Sequence, residues 1–337
     1  MTPLDFTGIW ITVLGVGIFM YVMLDGFDLG VGILSRLAPN DHDRHLMVTS
    51  VAPVWDGNET WLILGGVALL AAFPLAFAIL IPALYFPILM MLVGLIFRGV
   101  AFEYRTVPSN WQRFWDHAFC WGSMLAAFAQ GVMLGNFVSG FETTGRAFSG
   151  GSLDWVRPFP IVSGIALIFG YGLLGAGWLI LKTEGELQRW ARRQGLRMFF
   201  AVIAFIVAVT VLMLIWHPQV VDRWLKWPNI AFLWPVPALS ALSAYWVWHA
   251  LRGGSDAQPF IATLCLFLFS YIGLAISLWP MIVPFKVTIW EAAASPSTQA
   301  FLLVGTLLLL PIIVTYTGWS YWVFRGKVRA DVGYGHH

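Results

Sequence analysis

Trp55-Asp56-Gly57-Asn58-Glu59-Thr60-Trp61 sets two carboxylates and an amide between long apolar runs. On either side the chain is dominated by Leu, Ile, Val, Phe and Trp. Ionisable groups in such surroundings are costly, and they persist where they are paired or carry function. Whether those flanking runs form a soluble core or cross a bilayer decides the fold.

Composition answers that. Of 337 residues, 59% are hydrophobic and only 11% charged, with mean hydropathy +0.78. A soluble domain carries roughly 25% charged residues, so this chain cannot cover a water-facing surface and is read as an integral membrane protein. Apolar runs of about twenty residues recur and ten-residue alternating segments do not, which favours helices over a barrel. The segment Met1-Thr2-Pro3-Leu4-Asp5 lacks a basic region and no small-residue cleavage site follows, so the first run is expected to be a retained span.

Outward from the opening stretch, nine spans are expected, at about 8–35, 56–73, 75–98, 115–138, 159–181, 197–216, 230–250, 259–281 and 300–324. All connections are short, so residues 1–337 are expected to form a single integral membrane domain of all-α, polytopic class. Trp and Tyr cluster at many span ends, among them Trp10, Trp61, Trp111, Trp178, Trp216, Trp279 and Trp319, as interfacial belts require. Five of the nineteen Lys and Arg fall on the side of the N-terminus and fourteen on the other, Arg329 included. The positive-inside rule then places the N-terminus outside and the C-terminus in the cytoplasm, as an odd number of spans demands.

Three acidic positions fall toward the cytoplasmic ends of the first three spans. Asp25 lies roughly 25 Å along span 1 at 1.5 Å per residue, with Asp28 on the same face at i+3. Gly26, Gly30 and Gly32 beside them admit another helix closely. Span 2 opens after a polar loop, Asn40 to His45. There Asp56 followed by Glu59 has the form of a helix cap with a capping glutamate, and Pro53 and Gly57 suit a helix break. Span 3 ends in Phe97-Arg98 and Phe102-Glu103-Tyr104-Arg105. Its connection to span 2, Phe73-Pro74, is so short that the two spans are expected to be antiparallel neighbours. Asp25, Asp56 and Glu103, with Arg98 and Asn58 near them, suit a proton entry path. A salt-bridge network with Arg98 and Arg105 remains open beside it, as does a capping role for Asp56.

Other chemistry is hard to build. Cys120 and Cys265 sit alone in apolar runs with no metal-ligand spacing. His42, His45, His336 and His337 fall in loops or the tail, and His117, His217 and His249 near span ends with no partner at a facing depth. Methionines such as Met20, Met23, Met90, Met91 and Met133 read as core filler, so no haem or metal is expected on this chain. Gly26 to Gly32 follows no strand and lacks the Lys of a phosphate-binding loop. An acidic pair cannot do redox chemistry unaided, so any enzymatic role is that of a partner subunit.

Several motifs in order resemble subunit II of the cytochrome bd-type quinol oxidases. They are Asp25-Gly26-Phe27-Asp28-Leu29-Gly30-Val31-Gly32; Pro53, Trp55 to Glu59 and Trp61-Leu62; Ala71-Ala72-Phe73-Pro74; Phe97-Arg98; and Phe102 to Arg105. Trp290-Glu291-Ala292 through Ser295, and Leu310-Pro311-Ile312-Ile313 with Tyr316-Thr317, Trp319 and Tyr321-Trp322, extend the likeness over nearly the whole chain.

The resemblance implies a nine-helix, haem-free subunit of the bacterial inner membrane, paired with a larger subunit I that carries haems b and d. That partner would oxidise quinol and reduce dioxygen to water. Subunit II would stabilise it and help conduct cytoplasmic protons through the carboxylate at Asp56, with Asp25, Glu103 and Trp61 nearby. Asp28, Asn58, Glu59 and Arg98 join this set from the residue reading. Membrane lipid, a structural quinone and small single-span accessory subunits also belong to what the resemblance allows; nucleic acid does not. Val54 stands where relatives have His, Glu59 where they have Gln, Glu103 where they have Asp, and the connection at 217–229 is short. These departures point to another branch, the cyanide-insensitive one. The rival expectations are an ion-coupled secondary transporter and a scaffold whose carboxylates only pin helices together.

Overall fold

The computed structural model describes residues 5–105, 111–216 and 218–328; Arg329, His336 and His337, and His217, lie outside them. In chain order the helices are α1 (Phe6–Ser35), α2 (Asp41–Val51), α3 (Trp55–Ala72), α4 (Pro74–Ala83), α5 (Tyr85–Arg105), α6 (Gln112–Ser139) and α7 (Pro158–Lys182). They continue as α8 (Gly185–Trp216), α9 (Pro218–Leu225), α10 (Asn229–Leu233), α11 (Pro235–Arg252), α12 (Gln258–Leu278), α13 (Ile289–Ala292) and α14 (Pro296–Val323). Two small antiparallel hairpins, β1 (Thr143–Thr144) with β2 (Ala147–Phe148) and β3 (Met281–Val283) with β4 (Val287–Thr288), sit in the longer connections.

Among the described residues eight helical segments are long and apolar enough to cross a membrane, so the all-α polytopic class stands. They match every expected span but the second. That one is α3, 18 residues long, whose first turns hold Asp56, Asn58 and Glu59.

Several local expectations are corrected. Asn40 to His45 is not a loop: Asn40 caps α2 by accepting the Asp43 N–H at 2.8 Å. The connection after Trp216 holds α9 and α10. Helix α8 begins at Gly185 rather than 197, because Trp190, Ala191, Gln194 and Gly195 bury one face of an otherwise charged first half. Span 3 is bent. Pro87 has no N–H for the Ala83 carbonyl, and the helix breaks at Leu84 into α4 and α5. As a result α5 packs along α6, while α3 packs on α1 and α14. Spans 2 and 3 are therefore neighbours only near their turn, where α4 meets α3, and beyond it they are linked by long side chains.

Glycine decides where helices touch. A Cβ on Gly30 would lie 1.8 Å from the Tyr171 carbonyl oxygen, and one on Gly175 would lie 2.4 Å from the Gly30 backbone. Gly94 and Gly122 do the same for α5 against α6. In a bilayer, where burial against lipid supplies little drive, such close contact is what holds helices together. The main core lies between α1, α2, α5, α6, α7 and α8, and a second cluster around Phe73, Ile79, Val283 and Ile289 closes the opposite end. Trp61 and Trp178, expected at an interface, are interior, each 2% exposed.

Candidate functional site

The break at Ala52 to Val54 ends α2 and starts α3. Val54, not Asp56, is the cap residue of α3, and no side chain caps its end. The expected cap with Glu59 therefore does not form. Asp56 lies exposed in the first turn, and Glu59 turns inward to ion-pair with Arg98.

Arg98, reaching in from α5, is wholly buried and is the hub of the site. Its Nη1 lies 2.5 Å from Asp25 Oδ1 and its Nη2 pairs with Glu59. The guanidinium also stands 5.7 Å from the Trp55 ring centroid, and Trp55 stacks on Phe102 at 4.9 Å. Asp28, one turn beyond Asp25, faces α3 instead and accepts from Asn58 Nδ2 at 2.6 Å. Asn58 Nδ2 also reaches the Leu24 carbonyl at 3.3 Å, while Asn58 Oδ1 accepts from Tyr321 at 2.9 Å. Three carboxylates thus meet one guanidinium and one amide, a set with more acid than base and room for an exchangeable proton.

A cleft borders the cluster at Asn58. A cleft of about 350 Å³ between α3 and α14 is lined by Asp56, Asn58, Thr60, Tyr316, Thr317 and Tyr321, among others. Tyr316 spans its mouth, donating to Thr60 Oγ1 at 3.0 Å and to the Gly57 carbonyl at 3.3 Å. Asn58 is therefore both a cleft wall and a direct partner of Asp28.

The structure brings Asp25, Asp28, Asn58, Glu59 and Arg98 into one buried network and sets Asp56 in the cleft beside it. Trp61 is buried one turn on, with no partner for its indole N–H among the described residues. Glu103 lies exposed five residues beyond Arg98, near the end of α5. Arg105 does not join this network; it pairs with Asp116 of α6. Tyr321 was missed because its role depends on packing. Its ring lies 6.3 Å from Phe27 and 6.1 Å from Trp178, which are themselves stacked at 4.2 Å. Gln130, in the middle of α6, is also in the interior, and an amide inside an apolar run was a signal that could have singled it out. Among the described residues no group of three or more His, Cys, Asp or Glu could hold a metal ion.

A family model described as cytochrome bd terminal oxidase subunit II matches residues 6–324. Cytochrome bd-I ubiquinol oxidase subunit 2 of Escherichia coli K12 is 28% identical, over 96% of this chain and 95% of that one. Cytochrome bd ubiquinol oxidase subunit 2 of Bacillus subtilis 168 is also 28% identical, over 96% of each. The solved structure of bd oxidase from Geobacillus thermodenitrificans shares the fold, with TM-score 0.75, 19% identity and coverage of 95% of this chain and 99% of that one.

Proposed function

The chain belongs to the cytochrome bd terminal oxidase subunit II family, a multi-pass membrane subunit of an oxidoreductase complex, and from that premise we propose that it delivers protons to a partner that reduces dioxygen. The partner is a subunit I carrying haems b and d, which oxidises quinol; this chain stabilises it and ligates no haem itself. The complex sits in the bacterial inner membrane with the N-terminus of this chain outside, the C-terminus cytoplasmic, and residues 1–337 acting as one membrane domain. Dioxygen reduction consumes protons, and hydrocarbon blocks them, so buried acids joined by hydrogen-bonding groups supply the route.

One observation carries the proton role: Asn58 lines the α3–α14 cleft and donates to the buried Asp28. The route begins at Asp56 in the cleft, runs beside Asn58, which orients Asp28 and relays no proton itself, and continues from Asp28 to Asp25 and Glu59 on Arg98. Glu103 serves as a collecting carboxylate at the cytoplasmic end of α5. Asp28 Oδ1 and Thr317 Oγ1 have no hydrogen-bond partner among the described residues.

The same face suits the partner. Apolar side chains of α14, such as Leu308 and Ile312, and of α3, such as Ile63, the two helices that form the cleft, stand exposed. An Asp and several hydroxyls facing lipid would be costly, so a protein surface covering the cleft is favoured.

The test is purification of the membrane complex with its absorption spectrum and oxygen uptake. A haem-containing partner should co-purify, and Asp56→Asn and Asp28→Asn should each slow quinol-driven oxygen uptake without loss of haem. Isolation of this chain alone, with no haem partner, would end the oxidase reading. Unchanged turnover in both variants would end the proton role.

A further inference from the structure

Beside the Arg98 network runs a second buried polar chain that the route above does not use. Tyr171 donates to Gln130 Oε1 at 2.6 Å, and Gln130 Nε2 donates to the Tyr21 hydroxyl oxygen at 2.8 Å. All three residues are buried, and they come from α7, α6 and α1 respectively. Tyr21 lies one helical turn before Asp25 on the same face of α1.

The directions of these bonds carry the argument. Once Tyr171 donates to the amide oxygen, the amide nitrogen must face Tyr21. The Tyr21 oxygen is then an acceptor, and its own hydrogen has to point elsewhere. Asp25 Oδ1 is taken by Arg98, while Asp25 Oδ2 is sealed from solvent with no partner among the described residues. Reversing the Gln130 amide would aim the Tyr21 hydrogen at Gln130 and withdraw it from that carboxylate oxygen, whereas the orientation found leaves the hydrogen free to turn toward it. Packing fixes the chain at its far end. A Cβ on Gly26, next to Asp25, would lie 2.8 Å from the Tyr171 ring, so only glycine there lets the ring settle against α1.

We propose that Tyr21 is a positioning residue for proton transfer at Asp25, presenting its hydroxyl hydrogen to Asp25 Oδ2, with Gln130 and Tyr171 setting its orientation. This rests on the proton-delivery function above. With Arg98 on one oxygen and Tyr21 on the other, the carboxylate is held in a single orientation toward the rest of the network. No proton passes through the amide; Gln130 acts only through Tyr21.

The test uses the intact oxidase complex, with oxygen uptake driven by a soluble short-chain quinol in H2O and D2O. Tyr21→Phe should lower kcat about tenfold, the size of one charge-assisted hydrogen bond. KM for quinol and haem content should stay unchanged, and the solvent isotope effect should rise. Gln130→Met should give a smaller loss in the native background and none in the Tyr21→Phe background, since its effect runs through Tyr21. Tyr171→Phe, which keeps the ring on Gly26, should behave like Gln130→Met and serves if Tyr21→Phe does not assemble. An unchanged kcat in Tyr21→Phe, or additive losses with an unaltered isotope effect, would overturn the assignment. Asp25→Asn separates the two levels: if it retains full turnover, the delivery route itself fails; if it is impaired while the three variants are not, only this inference fails.

Discussion

Arg98 Nη1 stands 2.5 Å from Asp25 Oδ1, with both side chains sealed from solvent at 0% and 1% exposure. Removing either partner leaves an uncompensated charge in the interior. Such truncations cost about 3–5 kcal/mol, so Arg98→Leu should sharply lower the yield of assembled complex and its thermal midpoint. Arg98→Lys should fall between, because an ammonium cannot fork between Asp25 and Glu59. The check is thermal unfolding of the detergent-solubilised complex alongside its haem content.

Asp56 separates a cap from a relay. Loss of a capping side chain typically costs ~1 kcal/mol, but α3 takes its cap residue from Val54 with no side-chain bond. Asp56→Asn should therefore leave the thermal midpoint unchanged while slowing oxygen uptake. A fall in stability with normal turnover would restore the capping role.

Tyr321 holds the amide that faces Asp28. Tyr321→Phe would leave Asn58 Oδ1 buried and unpaired, costing about 1–3 kcal/mol, and would free the amide to turn away from Asp28. Turnover should drop more than stability. Measuring kcat and the thermal midpoint in the same preparation decides whether the hydroxyl serves the route or only the packing.

Gly30→Ala tests the helix contact that frames the site. The added methyl would lie 1.8 Å from the Tyr171 carbonyl oxygen, backbone against backbone, with no flexible side chain to give way. Helix α1 would have to leave α7, and overpacking of this kind costs at least ~1–3 kcal/mol. No assembled complex should be recovered, whereas Gly253→Ala, in open space just after α11, should assemble normally. Recovery of both would refute the contact.

The C-terminal end of α14 is tied down by a strap whose pH dependence has a definite sign. Lys327 Nζ lies 2.8 Å from Asp256 Oδ2 and 2.9 Å from the Thr183 carbonyl, and Val328 N–H donates to the Lys182 carbonyl at 2.9 Å. Burial alone would raise the Asp256 pKa, but the hydrogen bond from Lys327 and the charges of Lys327 and Arg192 outweigh it, so it lies below the usual carboxylate value. A depressed pKa contributes stability above the unfolded value, about 3.9 for Asp, and that stability is lost as pH falls through the folded one. Hydrogen exchange at Val328 should accordingly be flat from neutral pH down to about pH 5 after correction for intrinsic rates, and speed up only below about pH 4. Asp256→Asn should raise it at neutral pH; protection unchanged in that variant would remove Asp256 from the strap.

Much of this protein was open to reading along the chain. Apolar runs of bilayer length mark where the spans lie, though not where α8 and α5 begin, because a helix in hydrocarbon must satisfy its own backbone and needs about twenty residues to cross. Charged and amide groups inside those runs, Asp25, Asp28, Asn58, Glu59 and Arg98, stood out for the same reason, and they do lie together. What failed was direction. Asp56 and Glu59 carry the pattern of a cap, yet the chain breaks at Ala52 to Val54 and the cap falls two residues earlier, at Val54, sending Glu59 inward to Arg98 and leaving Asp56 in a cleft.

By itself, then, the sequence determined the class of fold, the spans and the identity of most polar groups inside them, since the bilayer penalises each such group wherever the helices go. Only the tertiary structure decided which acid meets which base. Asp25 and Arg98 are 73 positions apart, and Tyr321 and Asn58 are 263 apart; no local spacing encodes those pairs. They are set by how closely Gly30, Gly94 and Gly175 let the helices approach and by the turn each helix takes about its own axis.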